Sequence, residues 1–547
     1  MRHKLVLQYN TTVAVQQNLV PPRTEKKVAE ALEREYRRYL GEFYAGEGRC
    51  RVEAETVLPD YKEAAHRILR VDTKTRVNSK NVYTQGQSVI CEIEGVAVFH
   101  ILYLTDRQKE KGVPSSYLTQ ENFSYTFKIP AGENVDPEEV VAVVDLKTEN
   151  PSFKLLGPRK VSARCDVVIL LNAKCNHLFS YYSKGLPADI QTKRREVNVS
   201  SLVAIYQKEM TFSETIALPE SAMPIGEICE MDVDLFPKKI VTENGGIRFG
   251  GSCDVSCSYV TREDESLVSF YQPIEFEKNL GLEACLVDHI CQVVMTPNFL
   301  KATADINENG ENKNIHFEIG CTAEVRLFLG ESLEVLEDAF STDTHLELEV
   351  KPVFPEEIVL SSDFAVPLRA SLEKEEKLLR AEGIRSHVDF KNCYLEEGKI
   401  AVEGKLFVRY LGVREEGDLV HLETGYDFKV HLPSEIGILP ENVRDCRIEI
   451  CGGARGVDLD PAGENLELRF EICGQVMLLC RRQIQAVSEI LRGEKRKRKD
   501  HGILFYYPEK GEDLWSVCKQ YAVSPCALRE ENEMDGDQLP RVIHVTL

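Results

Sequence analysis

This sequence predicts a mainly β protein: three tandem β-sandwich or barrel-like modules with short helices, closed by a small α+β unit of βααβ order. One strand pair is spelled three times. NVYTQGQSVICEIEG ends at Gly95, KIVTENGGIRFGG at Gly251 and NCYLEEGKIAVEG at Gly404, with spacings of 156 and 153 residues. A later alternating strand keeps the same register, with Cys165 and Cys321 each 70 residues past their glycine and Gly474, beside Cys473, in that place in the third copy. Composition then turns abruptly after Ile490, which sets the last unit apart. Copies of this length are too long for solenoid repeats and long enough to own a core.

Residues 1–50 begin MRHKLVLQYNTTVAVQ, an alternating stretch without the apolar core of a secretion signal, and their role stays open. A proline precedes each anchor glycine: Pro59 by 36 residues, Pro219 by 32 and Pro367 by 37. The repeats are placed at 50–175, 195–330 and 335–490, with a short helix expected near 63–69 or 373–381. In the second copy Ile247, Phe249, Gly251, Cys253, Val255, Cys257 and Tyr259 occupy every other position, the period of a half-buried strand. Ile400, Val402, Gly404, Leu406, Val408 and Tyr410 repeat the pattern. A glycine inside such a strand predicts a bulge or a close backbone approach. In the first copy Val96, Val98 and Leu102 make the second face apolar as well, so that sheet must be covered on both sides. Gly86, Gly245-Gly246 and Gly398 supply the hairpin turns.

With 89 acidic against 67 basic residues the net charge is −22, which opposes binding to a phosphate backbone, so nucleic acid is excluded as a partner. The 17 cysteines are an odd number without paired C-x-x-C spacing, as expected of a cytosolic chain with reduced thiols. No apolar run is long enough to span a membrane. Cys253 and Cys257 invite a metal reading. Four residues along a strand span about 13 Å, however, too far for ligands that each approach one zinc to about 2.3 Å. The glycines of NGGIRFGG (244–251) fall in a hairpin turn and strand, which argues against a phosphate loop. H-E-x-x-H, G-x-S-x-G and Walker motifs are missing, so no catalytic residue, cofactor or metal is expected.

RGEKRKRKD, with Lys495, Arg496, Lys497, Arg498 and Lys499, reads as a basic linker over 491–501. In the following unit (502–547) Gly511 suits a turn and Asp513 an N-cap. Leu514, Val517, Cys518 and Tyr521 share one helical face, Pro525 opens a second helix, and Ile543 and Val545 close a strand. Trp515 lies about 100° from Leu514 around the helix, at the edge of that face, which predicts half-burial beside a groove flanked by Glu512 and Asp513.

The segment GILFYYPEKGEDLWSVCKQYAVSPCALREENEMDGDQLPRVIHV resembles a LysM domain, matching at Tyr507, Gly511, Leu514, Trp515, Val517, Tyr521, Leu528 and Asn532. LPDYKEAAHRILRVDTK, IQTKRREVNV and VLEDAFSTDTHLELE resemble the SPOCS domains of the SipL-like family of spore-coat morphogenetic proteins. That resemblance implies a non-enzymatic scaffold in the mother-cell cytoplasm, at the forespore surface, binding the SpoIVA-like coat ATPase with its LysM unit taking part. The alternative is a wall protein that binds chitin- or peptidoglycan-type glycans through LysM. Gly511-Glu512-Asp513 stands where glycan binders favour Gly-Asp-Thr, and QLPRVIHV lacks the usual glycine before the last strand.

Overall fold

Each anchor glycine occupies the middle strand of a three-stranded antiparallel sheet, because an aromatic ring from the neighbouring strand needs the space a side chain would take. The computed structural model describes residues 13–14, 35–105, 113–130, 140–182, 186–374, 376–435, 443–461, 463–496 and 502–546. The first block comprises β1 (Val13–Ala14), β2 (Glu35–Val57), β3 (Ala65–Gln85), β4 (Ser88–Thr105), β5 (Pro114–Pro130), β6 (Val140–Gly157) and β7 (Lys160–Tyr181). The second comprises β8 (Ile190–Ala217), β9 (Ile225–Glu243), β10 (Gly246–Thr261), β11 (Leu267–Gly281), β12 (Ile290–Ile306) and β13 (Asn312–Ser341). After β14 (Thr344–Val353) come β15 (Glu356–Leu372), β16 (Arg380–Glu396), β17 (Lys399–Val413), β18 (Leu419–Glu435), β19 (Val443–Asp460), β20 (Leu466–Arg482) and β21 (Ile484–Lys495). The last unit is β22 (Ile503–Tyr506), α1 (Leu514–Tyr521), α2 (Pro525–Glu531) and β23 (Ile543–Thr546).

The fold is mostly β, and the three blocks share one connectivity. One sheet is a meander, β3-β4-β5, β9-β10-β11 or β16-β17-β18; the other runs β2-β7-β6, β8-β13-β12 or β15-β20-β19, its middle strand following one flanking strand directly in sequence. β1 adds to the edge of β8, and β14 pairs with β21. Cys165, Cys321 and Gly474 fall on β7, β13 and β20, the middle strands of the second sheets, so the register read from sequence is the register of the fold. The two sheets of each block enclose its own apolar core, centred on Ile93 and Val167, on Phe249 and Val325, and on Val402 and Ile472.

Gly95, Gly251 and Gly404 stand directly opposite Phe123, Phe276 and Phe428. A methyl at any of them would enter that ring and meet a carbonyl oxygen, Arg76 O at 2.7 Å, Phe236 O at 2.8 Å or Asp389 O at 2.7 Å. The partner strand carries a register shift beside each site, between Val77 and Ser79, Lys238 and Val241, or Phe390 and Asn392. Close approach and bulge therefore occur together. Gly251→Ala is expected to cost about 1–3 kcal/mol through overpacking, and Gly251→Ala/Phe276→Leu to recover part of it. Urea unfolding reads both; equal stability of Gly251→Ala and the parent would refute the close approach.

Several expectations are corrected. Among the described residues no helix lies near 63–69 or 373–381: from Ala65 and from Arg380 the chain is strand, and the helices are α1 and α2. Register shifts between Ala65 and Arg67 and between Ile68 and Arg70 bulge the start of β3, so strict alternation is broken there. Pro59 and Pro219 open equivalent turns, each accepting from the amide three residues on, but Pro367 lies inside β15, an edge strand where its missing donor is tolerated. β2 crosses position 50, β13 crosses 330–335, and β21 carries the chain through Lys495. Arg496 is fixed by its Nε to Ser341 O and Thr344 O, both at 3.1 Å, so the linker's first residues belong to the folded body. Residues 497–501 and most of the N-terminal stretch lie outside the described residues.

Candidate functional site

The blocks do not hang as separate beads. Leu69, Leu102 and Leu104 of the first meet Cys229, Val260 and Leu267 of the second and Leu411, Val413 and Leu419 of the third in one buried cluster. Another joins Leu40, Leu202 and Phe328 to Ile358, Met477 and Leu479. Leu102 is thus the covered outer face that the first copy required.

Beside the first of these clusters lies a buried charge hub. Arg70 stands opposite Leu102, Glu230 opposite Ser258 and Glu382 opposite Leu411, each seven residues past its anchor glycine. Two residues closer to the glycine come Asp72, Asp232 and Arg385, opposite His100, Ser256 and Arg409. Arg70, fully buried, reaches Glu230 Oε2 at 2.6 Å, Asp72 Oδ2 at 2.7 Å and Gly383 O at 2.6 Å. Arg385 approaches Glu230 at 3.4 Å, Arg409 approaches Asp72 at 3.0 Å, and Lys74 pairs with Asp232. Burial works to raise the Glu230 pKa, but Arg70, Arg385 and His100 outweigh it and hold this carboxyl well below the usual range. His421, desolvated and facing Arg70, is pushed down.

Asp72, His100 and Glu230 bring three ligand atoms within 4.8 Å of one another. Their carboxylates are already held by three guanidiniums, which a cation would have to displace, so the chemistry of the group is that of an ion-pair junction between blocks. The cysteines considered as ligands separate further: Cys253 joins the second block's main core, Cys257 a cluster with Leu218 and Tyr259, and burial pushes both thiols up to about 12.

The C-terminal unit folds strand, helix, helix, strand. Gly511 has φ +98°, a left-handed conformation that favours glycine. Asp513 caps α1 by accepting from the Ser516 amide at 2.9 Å; the Ser516 hydroxyl, its amide and Lys193 hold the carboxyl down at about 2. Leu514, Val517, Cys518, Leu528, Ile543 and Val545 form the core. Asn532 staples α2 to β23: its Oδ1 accepts from His544 N at 2.7 Å, and its Nδ2 donates to His544 O and Leu528 O. Glu512 accepts from Tyr506 Oη at 2.8 Å and Glu509 N at 2.8 Å, while Tyr521 packs edge-on against Tyr506. Tyr507 is exposed, in a row with Ile503 and Phe505.

Trp515 is half-buried, and its ring packs against β13. Its indole N–H donates to Asp338 Oδ2 at 2.8 Å and its ring meets Phe340 edge-on at 5.0 Å, both on β13. Lys519 grips both oxygens of Asp338, and Asp513 pairs with Lys193 at 3.1 Å. Asp513, offered as a charge for a partner, is thus engaged within the chain. A cleft of about 420 Å³ remains along this seam, lined by Phe340, Leu346, Leu348, Val350, Asp338 and Lys519. Sequence reasoning missed the hub and Asp338 because their partners in other blocks lie at least 155 residues away, and 313 for Arg70 and Gly383, beyond any local spacing. The one available signal was a pair of charges in each copy, two residues apart in the first two and three apart in the third, where a bulge intervenes.

No helix among the described residues is long and apolar enough to cross a membrane. Compared with protein-family models, curated proteins and solved structures, the chain gives no match.

Proposed function

We propose that this chain is a non-enzymatic scaffold of endospore-coat assembly, with three tandem β-sandwich modules of SPOCS type and a LysM-type βααβ unit. It acts in the mother-cell cytoplasm at the forespore surface by binding a SpoIVA-like coat ATPase. The observation that carries the reading is the threefold recurrence of one two-sheet unit, with the blocks locked through buried charges and the terminal unit fixed to the second block's last strand. A body built this way holds several surfaces at set distances, and linked weak contacts to a polymeric layer can raise avidity by roughly 10²–10⁴. The resemblance of the repeats and the terminal unit supplies the partner.

Ile503, Phe505 and Tyr507, 66%, 58% and 67% exposed, are the contact surface we assign to the terminal unit. Exposed aromatics also suit the faces of sugars, which favours glycan binding as the second reading. In the full chain, Phe505→Ala/Tyr507→Ala should weaken binding to the coat ATPase at least about tenfold, roughly 1.4 kcal/mol. Chitin and peptidoglycan fragments should not bind either form. Saturable glycan binding with no response to the ATPase would replace the scaffold by a wall-binding protein.

A further inference from the structure

The third block brings together two sulfurs that its sequence keeps 34 residues apart. Cys446 on β19 and Cys480 on β20 are directly opposed in the antiparallel register, with Sγ atoms 2.9 Å apart. Directly opposed residues hold their Cα atoms about 4.5–5.5 Å apart, inside the range a disulfide spans, so closure to about 2.05 Å requires less than about 1 Å of sulfur movement. The two thiols are not equally reachable. Cys480 is fully buried, whereas Cys446 is half-buried, three residues into β19 and just past a register shift between Val443 and Asp445. Burial, then the contact with Cys446, pushes the Cys480 thiol up, so Cys480 keeps its proton at neutral pH while the sulfur nearer solvent reacts first.

We propose that Cys446 and Cys480 form a redox-active dithiol, which a hydroperoxide closes to a disulfide by oxidising Cys446 first. The Cys446 thiolate attacks the distal peroxide oxygen; an S–O bond forms, the O–O bond breaks, and the departing alkoxide or hydroxide takes up a proton. Cys480 sulfur then displaces hydroxide from the resulting sulfenic acid, the S–S bond forming as the S–O bond breaks, and the Cys480 proton leaves with hydroxide as water. Two thiols and one hydroperoxide give one disulfide, one alcohol or water, and one water: two electrons pass from sulfur to the peroxide.

The position gives the bond a consequence. Arg447, the next residue, ties β19 to the first block through Glu42 at 2.9 Å and to Glu449 at 3.0 Å, and Glu449 in turn holds Lys174 of β7 at 2.7 Å. A disulfide at Cys446 pins the end of β19 from which this inter-block network starts. Oxidation therefore stiffens the seam between the first and third blocks.

The test treats reduced full-length protein with hydrogen peroxide, alkylates the remaining thiols under denaturing conditions, and reads mass and peptides. The expected product has lost two hydrogen atoms, carries one Cys446–Cys480 cross-linked peptide, and reverts with dithiothreitol. Cys446→Ser, at the half-buried position, should abolish the mass loss. Cys480→Ala should leave a sulfenic acid on Cys446 that dimedone captures. Retention of all 17 free thiols after peroxide, or a cross-link confined to other cysteines, would overturn the proposal.

Discussion

Replacing Arg70 with methionine will destabilise the protein by about 3–5 kcal/mol, the loss expected when one member of a buried ion cluster is removed and its partners are left uncompensated. The side chain is fully buried, and its substitution takes the nearest cation from Glu230 and from Asp72, leaving them to Arg385 and Arg409, and frees Gly383 O. Arg51→Ala is the control, because the Arg51–Asp166 pair is largely exposed on the arginine side and solvent screening leaves it little weight. Urea midpoints with unchanged slopes separate the two outcomes, and a loss at Arg70 no larger than at Arg51 would refute the hub. A second, mostly buried carboxylate, Glu324 on β13, paired with Lys80 and with Arg326, each at 2.8 Å, fixes a pH dependence. Burial works to raise the Glu324 pKa, but Lys80 and Arg326 bring it to about 2, against 4.5 for an ordinary glutamate. A folded-state pKa below the unfolded one adds stability above the unfolded value, and that stability drains away as pH falls toward the folded value. Stability should thus decline from about pH 4.5 to about pH 2, and Glu324→Gln should flatten that slope.

The hub also explains why three copies sit in one chain. At equivalent register positions the residues are Arg70, Glu230 and Glu382, then Asp72, Asp232 and Arg385. Three identical copies brought together in the same way would bury three like charges, which is strongly unfavourable in a medium of low dielectric. Covalent linkage let the copies diverge in sign, so that Arg70 of the first pairs with Glu230 of the second and Arg409 of the third with Asp72 of the first. Each pair then marks which block neighbours which.

Glycine and alternation made the meanders legible, because Gly95, Gly251 and Gly404 each answer a local demand from an opposed ring. Where the demand came from elsewhere, the same cues were silent. In residues 1–50, left open by the sequence, GEFYAGEGR runs through β2, with Gly41 under the His177 ring and Gly48 under the Tyr125 ring. The core of α1 could be read from its helical period, whereas the Trp515 partner could not, since Asp338 is set by how β13 extends beyond its own block.

Phe340→Ala will release the terminal unit. Phe340 is 2% exposed and shares a core with Leu514, Val517 and Cys518 across the seam, so truncation leaves a cavity worth about 3–5 kcal/mol. Asp338→Asn should cost far less. Asp338 is 24% and Lys519 45% exposed, and an ion pair in that setting contributes under about 1 kcal/mol. Docking driven by the ring will therefore withstand added salt, whereas docking driven by the carboxylate would fail in it. Trp515 is the only tryptophan, so its emission reports this unit alone. In Phe340→Ala it should move to longer wavelength, with faster tryptic cleavage between 496 and 502. Asp338→Asn should shift it slightly at any ionic strength. If Asp338→Asn undocks the unit and Phe340→Ala does not, the seam is held by charge, and binding to a partner at that face would then become salt-dependent.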